Sequence, residues 1–280
     1  MSAINTISVD KFLRLIGTDR CPAVIDVRGD EEFSADNRLI PGSIRRCARN
    51  VADWAAEFAG HHAIVVCETG TASSPGVAAW LRHAGVDADT LEGGVAAWRK
   101  AELAMVPVNR LPARDRVGRT VWVTRARPKV DRIACPWLIR RFVDPNAIFL
   151  YVAPPDVETV ARKHAAAPFD IEGDHVFWSH RDDLCTFDVM LEALGLWPFE
   201  GLRRLAIIVR GADTAHPELA PEAAGLLAAS LGLSRMYADD LEQLEAGMLL
   251  YDSFYRWCRD ATDETHNWVS HRPPKPKGRP

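Results

Sequence analysis

The chain has 280 residues, a formal net charge of −4, and 48% hydrophobic against 26% charged residues. That composition supports a sizeable core and two domains, and its mild acidity argues against a nucleic-acid-binding protein. No basic segment leads into a long apolar run, so neither a signal peptide nor a membrane span is expected; six scattered cysteines without a C-x-x-C pair suit reduced, cytoplasmic thiols.

In chain order, Ser8 to Ile16 reads as a helix, Ala23 to Val27 as an apolar strand, and Asp30 to Asp36 as a short helix. Val51 to Phe58 has helical spacing and Ala63 to Val66 is a second strand. Pro75 to His83 is a helix closed by Gly85, Asp89 to Leu91 a last short strand, and Val95 to Leu103 a helix after Gly93 and Gly94. Strands alternating with helices imply a parallel sheet covered on both faces. Working loops in such sheets lie beyond the carboxyl ends of the strands, where Cys67 and Asp26-Val27-Arg28 fall.

Cys67 ends its apolar run and is followed by the small-residue loop Glu68-Thr69-Gly70-Thr71-Ala72-Ser73. Ser73 or Ser74 is placed as N-cap, with Pro75 in the first helical turn. Backbone N–H groups and a helix N-terminus would then face one sulfur and favour its thiolate, making Cys67 a nucleophile. The plainer alternative is a core cysteine at a strand end.

Four segments, in order, carry a resemblance. They are Ile25-Asp26-Val27-Arg28, Ile40-Pro41-Gly42-Ser43-Ile44-Arg45, the Cys67 loop, and Leu91-Glu92-Gly93-Gly94-Val95-Ala96-Ala97-Trp98. Residues 5–107 resemble the rhodanese family. The resemblance implies an α/β domain in which Cys67 carries a persulfide cradled by the amides of Glu68 to Ser73. It also implies that Asp26 and Arg28 brace the neighbouring loops, with Arg45 in support. The loop departs from the family by lacking arginine, since Glu68 and Ala72 stand where basic residues are expected. That disfavours dianionic thiosulfate unless Arg28, Arg45, Arg46 or Arg49 compensates, removes the clamp a phosphatase needs, and favours a thiol or persulfide donor.

Pro107, Pro112 and the charged run Arg110 to Arg119 suggest an exposed linker. Thr120 to Thr124 is a strand candidate. Val130 to Val143 has helical spacing that Pro136 breaks or starts, Ile148 to Val152 reads as a strand, and His175 to Trp178 as another. Thr186 to Leu194, Leu202 to Val209, Pro221 to Leu231 and Asp239 to Arg259 read as helices, the last as core or a dimer face.

The segment from Lys129 to Phe142 (Lys129-Val130-Asp131-Arg132-Ile133-Ala134-Cys135-Pro136-Trp137-Leu138-Ile139-Arg140-Arg141-Phe142), with Pro168-Phe169-Asp170, His180-x-x-x-x-Cys185-Thr186-Phe187-Asp188, Ile208 to Thr214 and Leu250 to Cys258, resembles the C-terminal domain of the chromate-resistance ChrB family. The resemblance implies a role in chromate resistance, often as a chromate-responsive regulator. No basic recognition helix precedes the domain here, so nucleic acid is not an expected partner.

Two chemistries suit this half. Lys129, Arg132 and Arg140, with Arg127 and Arg141, are candidates for binding chromate or sulfate; the alternative is a solvated helix face paired with Asp131 and Asp144. His180, Cys185, His164 and Asp188, near Asp170 and His175, offer metal-ligand chemistry without a compact signature. Cys135 beside Pro136 is a further candidate thiol.

The expected protein is therefore α/β over 1–107, a linker at 108–119, a mixed α+β but largely helical domain over 120–263, and a disordered tail at 264–280. Its expected activity is rhodanese-type sulfur transfer through Cys67 between a small-molecule donor and a thiol acceptor, coupled to chromate or oxidative stress. No cofactor is expected for that transfer, a metal ion is a candidate for the second half, and a second copy of the chain is a candidate partner. A chromate- or metal-responsive sensor without turnover is the rival reading.

Overall fold

A computed structural model describes residues 5–173 and 176–264. His175 and residues 265–280, most of the expected tail, lie outside the described residues.

The first half runs β1 (Thr6–Ile7), α1 (Val9–Leu13), β2 (Ala23–Asp26), α2 (Asp30–Ala35), β3 (Arg38–Leu39), β4 (Ser43–Arg45), α3 (Val51–Trp54), β5 (His62–Val66), α4 (Ser74–His83), β6 (Asp87–Leu91), α5 (Gly94–Lys100) and β7 (Val106–Pro107). Five strands pair in the order β1-β6-β5-β2-β4, all parallel. β5 sits in the middle, and its residues Ala63 to Val66 have no exposed surface. A strand covered on both faces needs an uninterrupted apolar run, which is what this segment supplies. β2 lies beside it in register, Asp26 opposite Val66, so Cys67 and Asp26-Val27-Arg28 leave the sheet at one edge. β3 and β7 form a separate antiparallel ribbon.

The second half runs β8 (Val121–Arg125), α6 (Val130–Phe142), β9 (Ile148–Val152), α7 (Val157–His164), β10 (Ala167–Pro168), α8 (Thr186–Ala193), α9 (Glu200–Asp213), α10 (Ala223–Met236) and α11 (Asp240–Asp260). Three strands form a parallel sheet in the order β10-β8-β9. The domain is mixed but largely helical, as the pattern implies. Of the strand expected near 175–178, the described part makes a single bridge, Trp178 to Phe169. Trp137 on α6 is fully buried against Phe142, Phe187, Tyr251 and Tyr255, which ties α6, α8 and α11 together. α11 turns Leu244, Met248, Tyr251, Tyr255 and Cys258 into this core and leaves Leu241 and Leu249 exposed.

Pro136 neither starts nor breaks α6; it lies inside the helix. A proline there removes the hydrogen bond to the carbonyl four residues back, that of Arg132. The Tyr151 hydroxyl donates to that carbonyl at 2.9 Å and satisfies it. Cys135 consequently sits mid-helix and fully enclosed, and burial pushes its thiol well above the ordinary range.

The two halves share one apolar core. Phe12, Ile16 and Trp98 belong to the same buried cluster as Trp122, Trp137 and Phe142. The Gly42 N–H donates to the Phe142 carbonyl at 2.7 Å, and Arg259 Nη1 donates to the Arg14 carbonyl at 3.2 Å. Gly17, at φ +75°, lies so close under the Phe142 ring that a Cβ there would stand 2.1 Å from it. Between the halves, the Asp115 carboxylate accepts from the Val117 and Arg119 amides and closes a turn, while Leu111 packs against the shared core.

Candidate functional site

The sulfur of Cys67 lies at the carboxyl end of β5, directly before the loop that opens α4. Cys67 has no exposed surface, and its Sγ is 3.1 Å from the Ser74 Oγ. Burial alone would push this thiol up. Hydrogen bonds from the Ser74 hydroxyl and from the amides of Ser74, Ser73 and Ala72 outweigh burial and hold it below the ordinary value. Ser73 occupies the N-cap position but makes no side-chain cap bond, so the free amides of the first turn face the sulfur.

The other buried thiols behave in the opposite way. Burial raises Cys21 and Cys258 to about 12, and Cys185 well above its usual range. All six cysteines are free.

Sequence reasoning gives Ser74 a capping role alone; the structure puts its hydroxyl on the sulfur. It also places the cradle at Ala72 to Ser74, the final part of the Glu68–Ser73 loop and one residue beyond. Replacing Ser74 with alanine removes a donor to a charged sulfur and should raise the pH at which the Cys67 thiolate appears. In a Cys47→Ser background, which removes an exposed competing thiol, the pH midpoint of Cys67 alkylation should move up. Its rate at pH 7 should fall about tenfold. An unchanged midpoint would remove Ser74 from the cradle.

The loop's shape depends on two glycines. Gly70 (φ +78°) and Gly94 (φ +59°) meet backbone to backbone. The Val95 N–H donates to the Cys67 carbonyl at 3.0 Å and the Ala96 N–H to the Glu68 carbonyl at 2.9 Å, pinning the cysteine loop to the start of α5. Thr69 and Thr71 join through their hydroxyls at 3.0 Å on the loop's outer side.

Of the candidate compensating arginines, Arg28, Arg45 and Arg46 are already paired, and Arg49 is exposed. Arg28 and Asp26 are a fully buried pair: Nη2 lies 2.6 Å from Oδ2, and Arg28 also donates to the Asp36 and Arg38 carbonyls. Such a pair braces the β2 loop, because either charge left alone would be costly to bury. Arg45 binds Asp30 at 2.5 Å and lies over the Phe33 ring, and Arg46 binds Glu57. Arg99, which the sequence did not single out, holds the Glu68 carboxylate at 3.0 Å and also Asp36. Glu68 is thus partly neutralised, yet its partner is not a free cation waiting for a dianion.

In the second half the candidate cations go to separate partners. Arg132 binds Asp170 at 3.2 Å and two carbonyls, and Arg140 binds Glu245 and lies over Phe149. Arg141 binds Asp252, and Lys129 stands exposed at the N-cap of α6.

His180 does not meet Cys185, Asp188 or His164. Asp188 accepts from the Cys185 amide and thiol and from Arg210, capping α8, while His164 is exposed at the end of α7. Instead, His180 Nε2 lies 3.2 Å from Asp213 Oδ2, 3.3 Å from Asp170 Oδ1 and 3.6 Å from Asp131 Oδ2. Hydrogen bonds to Asp170 and then Asp213 raise His180 to about 10, while burial and the carboxylates of Asp213 and Asp170 push Asp131 well above its usual range. Asp131 and Asp213 each sit in a segment that stands out in the sequence, but nothing in their spacing brings them to His180.

A parallel sheet with a buried, amide-cradled cysteine between its central strand and a helix defines a rhodanese-like domain. Residues 8–101 match the family described as rhodanese-like domain, and residues 122–258 match that described as ChrB, C-terminal domain. The chain therefore carries a segment that matches the rhodanese-like family followed by one that matches the ChrB C-terminal family. It is 38% identical over 135 residues to Protein ChrB of Cupriavidus metallidurans, covering 48% of this chain and 39% of that protein's length. Among solved structures, a rhodanese-like domain protein from Staphylococcus aureus shows 27% identity and a TM-score of 0.31, covering 34% of this chain and 91% of that one. A rhodanese-related protein from Thermoplasma volcanium shows 20% identity and a TM-score of 0.30, covering 36% and 97%. Among the described residues no helix is long and apolar enough to cross a membrane.

Proposed function

We propose that the protein is a cytoplasmic sulfurtransferase that carries sulfane sulfur on Cys67 and serves chromate or oxidative-stress resistance through its ChrB-type half. The observation that carries the reading is the placement of the Cys67 sulfur between the end of β5 and the first turn of α4, 3.1 Å from the Ser74 Oγ, and the donors there lower its thiol. The Cys67 thiolate attacks the outer sulfur of a hydropersulfide, R–S–SH. The new S–S bond forms as the old one breaks, and R–S⁻ leaves with one proton as the thiol. The enzyme then holds Cys67–S–S⁻, whose charge the same donors stabilise. A thiolate acceptor attacks the terminal sulfur, takes it as a new persulfide, and returns Cys67 to thiolate.

The donor class follows from the charges. The loop carries no cation, and Arg28, Arg45, Arg46 and Arg99 are each engaged by carboxylates. A persulfide or thiol-bound sulfur suits this mouth better than dianionic thiosulfate. Intact-mass measurement after incubation with glutathione persulfide, and separately with thiosulfate, tests both points. A gain of about 32 Da on Cys67 with the first donor is expected, and a smaller fraction with the second. No gain with either donor removes the catalytic reading.

One observation favours the rival. Cys67 has no exposed surface, which closes it to a sulfur donor in this conformation. That reading expects no sulfur transfer through repeated cycles, which a turnover assay with excess thiol acceptor distinguishes.

A further inference from the structure

The cluster around His180 has a chemistry of its own, independent of the sulfur-carrying cysteine. Asp131 comes from the first turn of α6, Asp170 follows β10, His180 lies in the loop before α8, and Asp213 ends α9. One ligand atom from each lies within 4.8 Å of all the others. A single Nε2–H faces three carboxylates but can donate one good hydrogen bond. The Asp131 side chain has no exposed surface, yet its Oδ1 has no hydrogen-bond partner. Leaving a buried carboxylate oxygen unpaired beside two more carboxylates is costly unless a cation takes the place.

Surrounding contacts hold the four groups in place. The Thr186 hydroxyl donates to Asp170 Oδ1 at 3.0 Å and Arg132 lies against Asp170 Oδ2. The Phe187 amide donates to Asp131 Oδ2, and the Asp131 amide to Asp213 Oδ1, each at 3.3 Å. Such outer contacts are what fix ligand orientation around a metal. The His180 side chain is 42% exposed, which leaves a path from solvent.

We propose that Asp131, Asp170, His180 and Asp213 form a binding site for a divalent first-row cation of the Mn²⁺ or Fe²⁺ type. Three carboxylate oxygens and one imidazole nitrogen, without a thiolate, are the donor set that such hard-to-borderline cations take. The Cys185 thiol, which donates to Asp188 Oδ2 at 3.3 Å and also bonds to the Asp131 carboxyl, is not one of the four clustered groups. The same excess of carboxylates makes the centre unfavourable for a chromate dianion, so the cation, not the oxyanion, is the ligand this half selects.

Mn²⁺ alone is the probe, because thiols compete for it weakly and its free form is read by electron paramagnetic resonance. Full-length protein titrated with Mn²⁺ should remove one equivalent of the free-ion signal, and its melting temperature should rise with added Mn²⁺. His180→Gln and Asp213→Asn, both at partly exposed side chains, should weaken binding at least tenfold with unchanged circular dichroism. Cys67→Ser should bind Mn²⁺ as the parent does, which separates this site from the sulfur chemistry. Absence of saturable binding to the parent chain, or binding of parental strength in both cluster variants, overturns the proposal.

Discussion

Cys67→Ser should lose sulfur loading altogether, with transfer to a thiol acceptor falling by at least about 10³-fold while the fold is retained. Serine keeps the volume and can still bond to Ser74, so the enclosing packing changes little. The loss is chemical: at neutral pH a serine hydroxyl stays protonated, and the amides of Ala72 to Ser74 have no anion to hold. The comparison is an intact-mass and turnover assay on both proteins with a persulfide donor. Cys47 supplies an internal check, since it is exposed and outside the loop and Cys47→Ser should load as the parent does. Retention of transfer in Cys67→Ser would falsify the assignment of the nucleophile.

Gly94→Ala should damage both stability and chemistry. A Cβ at Gly94 would stand 2.2 Å from the Cys67 carbonyl oxygen, 2.5 Å from the Gly70 nitrogen and 2.7 Å from the Glu68 carbonyl oxygen. All three are backbone atoms of the cysteine loop, so nothing flexible can yield. The φ of +59° adds the ordinary penalty of a left-handed alanine. Overpacking and strain together should cost about 2–4 kcal/mol, seen as a lower denaturant midpoint, and the displaced loop should no longer load sulfur. Gly76→Ala is the contrast. Gly76 lies in α4 with nothing within 4 Å of its would-be Cβ, and alanine there should stabilise by up to about 1 kcal/mol and leave loading intact. If Gly94→Ala loads and melts like the parent, the glycine contact is not what shapes the loop.

The first half was legible because its signals are local. The apolar run of β5, the cysteine at its end, and the serine-proline helix start lie within a few residues of one another, and each implies the next. The short strands β1, β3 and β4 were not, since two or three half-exposed residues cannot display a period. Pro136 misleads for a different reason. Its helix survives because a tyrosine on the neighbouring strand takes the orphaned carbonyl, a long-range repair that no helix signal contains.

The site in the second half shows the same limit. His180 stood out, but the ligand-type residues nearest it in sequence, Cys185 and Asp188, are committed to capping α8. Its spatial neighbours arrive from α6, from the end of β10 and from the last residue of α9, assembled by helix packing around Trp137. Arg99 was likewise invisible as the partner of Glu68, because thirty-one positions separate them.

The shared core has a consequence for how the molecule behaves as a whole. With Phe142 seated under Gly17 and hydrogen-bonded back to Gly42, neither half closes its own apolar surface. The two halves should therefore unfold in a single transition, and a half expressed alone would expose the apolar face that the other covers.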